Sequence, residues 1–172
     1  MQLIYLNETK DNYFDKAWEI YLNSFPKEER RTLEEHKKIL RNNAYKASCY
    51  LDGNKLVAIV FYWNIKGYTF LEHFAVDNQL RGKSYGSKVL NEFIKTNDNI
   101  VLEIEPIKDE TSQRRLKFYE RFGFVLNEYT HYQIPFRKED EKLELLLMTY
   151  QNRLKEEEYK FLYEQMQKTL IF

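Results

Sequence analysis

The residue order predicts an α/β (α+β) fold: a central mixed, mostly antiparallel sheet with helices on both faces, plus an extra C-terminal helix. Three observations carry this expectation. A β-rich stretch interrupted by Asp52-Gly53-Asn54 reads as a hairpin, extended by another strand after Lys66-Gly67. Beyond it, helix-like and strand-like hydrophobic periods alternate. Residues 151–172, dense in Glu and Lys, place Leu154, Leu162, Met166 and Leu170 at helical intervals.

Taken in order, residues 2–6 form the first expected strand. Residues 11–22 follow as a helix, because Phe14, Ala17, Trp18, Tyr21 and Leu22 fall at i, i+3, i+4, i+7 and i+8. Pro26 suits the first turn of a second helix over residues 27–40, with Leu33 and Leu40 inward and His36 on the solvated face. Residues 45–51 and 56–63 flank the Asp-Gly turn, and residues 68–76 are a third meander strand. A helix over 85–95, a strand over 100–104, a helix over 111–121, a long strand over 124–134 and an edge strand over 143–148 complete the series. The expected division is one domain over residues 1–150 and an amphipathic helix over 151–172. That helix serves either packing on the same domain or a dimer contact, so monomer and homodimer both stay open.

Bulk properties narrow the function classes. Lys+Arg and Asp+Glu balance at 27 each in 172 residues, so nothing in the charge calls for nucleic acid or an anionic membrane. No apolar run approaches the roughly 20 residues that cross a bilayer, and residues 1–6 lack the basic flank of a signal sequence. The cytoplasm is the expected location. The one cysteine, Cys49, excludes an internal disulfide and reads as a buried small side chain. With three scattered histidines beside it, no metal-ligand cluster is legible and no metal is expected.

The most informative stretch is residues 71–90, an apolar strand that runs through a polar turn and two glycines into an amphipathic helix. Gly82 and Gly86 let the backbone aim N–H groups at one point, and the helix adds its unpaired donors and positive dipole end. Phosphate is the natural guest. A P-loop is excluded because Ser87-Lys88 stands in the wrong order after Gly86, and no Gly-x-Gly-x-x-Gly triplet occurs near the chain start.

This stretch resembles motif A of the GNAT superfamily, the acyl-CoA-dependent N-acyltransferases. Arg81-Gly82-Lys83-Ser84-Tyr85-Gly86 matches the pyrophosphate loop at its first and last positions, with Ser84 where the family has its middle glycine, and Phe74-Ala75-Val76-Asp77 matches the preceding strand end. A second segment, Phe118-Tyr119-Glu120-Arg121-Phe122-Gly123-Phe124, resembles motif B, and Gly123 sits where a left-handed helix stop belongs. The resemblance covers residues 50–135 and implies acetyl-CoA as co-substrate. It also implies an acetyltransferase that acts on a primary amine of a small molecule or peptide.

The site residues implied are these. The backbone N–H groups of Phe74 and Val76, with Ala75 between them, meet the thioester carbonyl and pantetheine arm. Arg81, Gly82, Lys83, Ser84, Tyr85, Gly86 and Ser87 hold the pyrophosphate, and Ser112 takes a position where relatives carry Asn and touch CoA. Tyr119 occupies the general-acid position: a phenol near pKa 10 facing a thiolate near 8.5. Glu72 is the first candidate base and Glu105 the second, with Glu103 alternating on the same strand as Glu105. His73 reads as a core histidine, whereas His131 reads as a residue of the acceptor side. The resemblance puts the acceptor between the first two helices and the later strands, where Trp18, Tyr21, Phe25, Tyr129, Tyr132 and Phe136 are read either as aromatic walls of a small-molecule pocket or equally as core. A different class fits the substituted loop too: a degenerate domain that binds CoA as a sensor or partner module without turnover.

Overall fold

The computed structural model describes residues 1–171. It is a mixed α/β architecture of eight strands, antiparallel in the pairings given below, with five α-helices, the last at the C-terminal end. The chain divides into two compact units, residues 1–64 with 71–96, and residues 65–70 with 97–171.

The first unit holds β1 (Gln2–Leu6), α1 (Phe14–Ser24), α2 (Leu33–Ile39), β2 (Tyr45–Asp52), β3 (Lys55–Ile65), β4 (Tyr68–Val76) and α3 (Tyr85–Thr96), with β3 and β4 reaching past its limits into the turn that joins them. Its strand order is β1-β2-β3-β4. Register sets the two faces: Phe61 opposes Ala47 and Tyr62 opposes Lys46, so these neighbours on β3 point to opposite sides. Phe61 meets Tyr21 of α1 and His36 of α2, while Tyr62 meets Phe93 of α3. Helices therefore cover both faces of this unit.

The second helix departs from the expected 27–40. A single 3-10 turn, Lys27–Glu29, comes first, Arg30 is extended, and α2 starts only at Leu33. Thr32 caps it, accepting from Glu35 N at 3.3 Å while Glu35 Oε2 accepts from Thr32 N at 2.7 Å. This reciprocal box is written in the sequence as Thr32 followed three residues later by Glu35. The helix also rolls differently from expectation. Leu33 is exposed, and His36 is fully buried.

The second unit holds β5 (Ile100–Ile104), α4 (Glu110–Arg121), β6 (Phe124–Leu126), β7 (His131–Tyr132), β8 (Glu144–Tyr150) and α5 (Glu156–Leu170). Its strand order is β5-β8-β6, with β7 also on β8. The expected long strand over 124–134 is thus two short ones. Asn127 interrupts it: Nδ2 donates to Thr149 Oγ1 at 2.7 Å, and Oδ1 accepts from Leu154 N at 2.8 Å. A side chain that satisfies two neighbouring segments takes the backbone out of the ladder until His131 opposes Leu145. Gly123, at φ +91°, ends α4 as expected, and a Cβ there would stand 3.4 Å from the Tyr150 ring.

Candidate active site

In the first unit, β4 leads into the loop through Asp77, whose N–H donates to Val57 O at 2.9 Å and whose Oδ1 accepts from Gln79 N at 3.0 Å. Lys16 lies 3.1 Å from the other carboxylate oxygen. The short turn Asn78–Leu80 is pinned by buried Leu80, and the chain then surfaces at Arg81. Gly82 has φ +80° and Ser84 φ +62°. The serine thus takes the left-handed backbone that the resemblance assigns to glycine, at a cost of about 1 kcal/mol. Gly86, by contrast, lies in the first turn of α3 with ordinary helical backbone, so only Gly82 of the two glycines uses its special freedom.

The first i to i−4 bond of α3 runs from Lys88 N to Ser84 O at 3.1 Å. The amides of Tyr85, Gly86 and Ser87 therefore have no acceptor inside the helix, and they gather at its positive dipole end. Arg81 and Lys83 are exposed, and neither forms an ion pair among the described residues. The Tyr85 hydroxyl donates to Asp52 Oδ2 at 2.6 Å, which ties the helix start to the hairpin turn. An exposed arc of main-chain donors with two unpaired cations beside it fits a diphosphate.

Two residues before Phe74 on the same strand, Glu72 sits in an ion pair rather than at an open surface. Arg31 Nη1 and Nη2 donate to its two oxygens at 2.5 and 2.8 Å, and Trp63 Nε1 donates at 3.1 Å. Both charged side chains are more than nine-tenths buried. Burial works to raise the Glu72 carboxyl, but the Arg31 charge and the neighbouring His73 outweigh it and hold it well below the usual carboxylate range. A carboxylate so stabilised is a poor proton acceptor, which corrects the expectation that Glu72 is the base. Its partner Arg31 went unnoticed in the sequence, where it is one cation in a charged run. The pair explains why the helix breaks there: Arg31 N donates to the Tyr21 hydroxyl at 2.7 Å while its guanidinium turns inward over the Trp63 ring.

His36 and His73 complete this interior. His73 Nε2 lies 2.6 Å from Glu29 O and its ring meets Tyr21 and Phe25 edge-on, the core role expected of it. His36 is packed among Phe14, Trp18, Tyr21, Tyr45 and Phe61, and burial, helped by Arg31, pushes its imidazole down to about 3. Trp18, Tyr21 and Phe25, read as pocket wall or core, pack ring to ring within this same cluster. Cys49 is buried, and burial pushes its thiol up to about 12.

In the second unit, Tyr119 projects from α4 between Phe118 and Phe124, both edge-on, at 5.3 and 5.6 Å. Burial pushes its phenol up to about 12, against a downward pull from Arg115. The hydroxyl keeps its proton at neutral pH and takes no hydrogen bond among the described residues. Release to a thiolate near 8.5 is harder than an unperturbed phenol would suggest. Glu105, the second candidate base, is paired with Arg115.

Ser112 is not available for a ligand in the way expected. It is the third residue of α4 and fully buried: its N–H donates to Asp109 Oδ1 at 2.7 Å, and its hydroxyl oxygen accepts from Lys108 N and Asp109 N at 3.0 and 3.1 Å. The side chain is spent on capping its own helix.

His131 is buried beneath α5 with both ring nitrogens engaged, Nε2 at 2.6 Å from Glu103 Oε1 and Nδ1 at 2.9 Å from the Tyr159 hydroxyl. Tyr129 stacks on Tyr159 with centroids 4.3 Å apart and planes 4° from parallel, and Tyr163 donates to Tyr132 O at 3.1 Å. Tyr159 was not legible as a site residue, since the helical pattern marks its apolar stripe and not its hydroxyls. Among the described residues no group of three or more metal-ligating side chains gathers, and no helix is long and apolar enough to cross a membrane.

A strand end, a left-handed loop opening a helix, and a glycine-stopped helix carrying a tyrosine are the features in which this chain resembles the acetyltransferases of the GNAT type. A family model described as an acetyltransferase (GNAT) domain matches residues 44–126. A structure of a protein from Bacteroides thetaiotaomicron, provisionally assigned as a GNAT-family acetyltransferase, superimposes with a TM-score of 0.91 at 28% identity, over 98% of this chain and 97% of that one. A Bacillus subtilis (strain 168) protein, YjbC, provisionally assigned as an acetyltransferase, is 26% identical over 82% of this chain and 80% of its own length. An aminoglycoside 6'-N-acetyltransferase complexed with coenzyme A shares the fold, with a TM-score of 0.62 at 15% identity over 90% of this chain and all of that one. The chain is similar to the GNAT acetyltransferases, with that family's domain matched over residues 44–126.

Proposed function

We propose that this chain is a GNAT-family enzyme that transfers an acetyl group from acetyl-CoA directly to a primary amine of a small molecule or peptide. The observation that carries the reading is the loop itself, in which Ser84 adopts a glycine-like φ of +62° and so keeps the amides of residues 85–87 at the head of α3. An anion held by those amides would offset the strain.

Within this reading the main-chain donors of Arg81 to Ser87 hold the diphosphate, with Arg81 and Lys83 as charge-assisted partners. Phe74, Ala75 and Val76 offer backbone to the pantetheine arm and the thioester carbonyl. Acetyl-CoA supplies the activated acyl group. Attack by the neutral amine breaks the C–S bond, and Tyr119 gives a proton to the departing sulfur. Its raised phenol passes that proton late, once negative charge has built up on sulfur. The amine's own proton leaves to a carboxylate at the end of β5 or to water. The chain works in the cytoplasm, without metal, as a monomer or homodimer, on an acceptor that is not nucleic acid.

Calorimetry with CoA and a thiol-release assay with acetyl-CoA over a panel of amino acids, polyamines and short peptides test the reading together. Amine-dependent thiol release is the expected result, with Tyr119→Phe lowering kcat by about 10²-fold while CoA affinity stays within about twofold. CoA binding without amine-dependent release would instead mark a binding module.

A further inference from the structure

We infer that Asp52, at the tip of the β2–β3 hairpin, is a positioning residue for the CoA diphosphate: it holds the Tyr85 hydroxyl and, through it, the opening turn of α3. The inference rests on the acetyl-CoA reading and goes beyond it in naming what keeps the anion loop in shape.

The placement starts from strand alternation. Tyr62 opposes Lys46 and meets Phe93 of α3, so the even-numbered residues of β2 face that helix. Asp52 is the last of them, paired with Lys55 across the turn at Gly53, whose φ is +60°. The strands beneath it are buried without a break over residues 47–51 and 56–63, while Asp52 itself is exposed. A carboxylate that reaches solvent from so firm a base is a fixed anchor.

The anion loop is fastened to this one hairpin at both of its ends. Register between β2 and β3 shifts after Tyr50: Tyr50 opposes Ala58 but Leu51 opposes Leu56, which makes Val57 an extra residue on β3. Val57 O accepts from Asp77 N at 2.9 Å, just where β4 gives way to the loop. At the far end the Tyr85 hydroxyl donates to Asp52 Oδ2 at 2.6 Å. Lys88, one turn further along α3, lies over the Tyr85 ring, 5.6 Å from its centre, and limits its swing.

The second fastening matters because the start of α3 lacks a side-chain cap. Ser84 stands in the cap position, yet its hydroxyl makes no hydrogen bond among the described residues, and its φ of +62° favours unwinding. The amides of Tyr85, Gly86 and Ser87 converge on one anion only while that first turn stays wound. A tether reaching 33 positions back takes the place of the cap. Charge alone predicts the opposite effect for Asp52. Removing a carboxylate near an anion site should tighten the anion, whereas removing an anchor should loosen it, so the sign of the change separates the two roles.

The test uses the full chain, the best amine of the panel and two donors, acetyl-CoA and S-acetylpantetheine, which carries the same thioester without the diphosphate. Asp52→Ala and Tyr85→Phe are each expected to raise KM for acetyl-CoA, and to lower the kcat/KM ratio of acetyl-CoA to S-acetylpantetheine about fivefold, the worth of one exposed charge-assisted hydrogen bond. The double variant should lose no more than either single one, since both remove the same contact. Asp52→Asn keeps an accepting oxygen and should recover part of the loss. A wild-type ratio in Asp52→Ala, or CoA bound more tightly by it in calorimetry, would overturn the inference while leaving acetyl transfer intact. If Asp52→Ala does not fold, Tyr85→Phe carries the same comparison. Failure of the wild-type chain to bind CoA would overturn both.

Discussion

The deepest energetic commitments of the first unit lie in two residues, Glu72 and His36, and both make it sensitive to acid. The Glu72 carboxyl is depressed in the folded state, so the stability it contributes is full above its unfolded value near 4.3 and is lost as pH falls below it. The His36 imidazole is depressed from about 6.5 to about 3, so the unfolded chain binds a proton that the folded chain refuses over that window. Stability then falls in two stages, first from about pH 6.5 and again below about 4.3. The melting temperature of His36→Leu should stay flat down to pH 5 where the parent declines. A parallel decline in both would refute the assignment. Glu72→Gln leaves a buried guanidinium uncompensated and should cost about 3–5 kcal/mol in urea unfolding at pH 7. Neither role was legible in the sequence, because a histidine between a glutamate and two lysines looks solvated, and an ion pair spanning 41 positions leaves no local mark.

At the scale of elements, most strands and helices were legible because their ends carry local chemistry. The Asp-Gly turn, the capping residues and Gly123 each act within a few positions of where they stand. Two elements were misread for reasons that are not local: Arg31 leaves its helix to reach a partner on β4, and Asn127 leaves its strand to satisfy Thr149 and Leu154. The left-handed turn that opens α3 could be read from Gly82 and the residue order, whereas the task of Ser112 could not, since capping and ligand contact ask for the same hydroxyl. The stop of α4 offers a sharp test. Gly123→Ala must hold φ near +91° and press a methyl against Tyr150, and should cost about 1–2 kcal/mol by denaturant titration. A neutral result would mean that the helix end relaxes freely. Because Tyr119 stands four residues before this stop, the same variant should lower kcat more than CoA affinity.

At the scale of the molecule, a ligand that binds the folded chain alone must raise its melting temperature by mass action. Acetyl-CoA at 100 times its dissociation constant should add about 2.7 kcal/mol, some 5–10 °C for a chain of this size, and inorganic phosphate at the same concentration far less. An unchanged melting curve at millimolar acetyl-CoA would contradict the loop's assignment. The balanced charge read from composition adds that this shift should survive moderate salt better than steering by a basic surface would. The second unit carries a different kind of consequence. Its strand β8 is bonded by β5 along one edge and by β6 and β7 along the other, yet it follows all three in the chain. On the ribosome, β5, β6 and β7 must wait without their common neighbour until the last strand has cleared the exit tunnel. This half of the protein can therefore close only after residue 150 has emerged, and nascent chains stalled before residue 144 should be degraded readily by added protease.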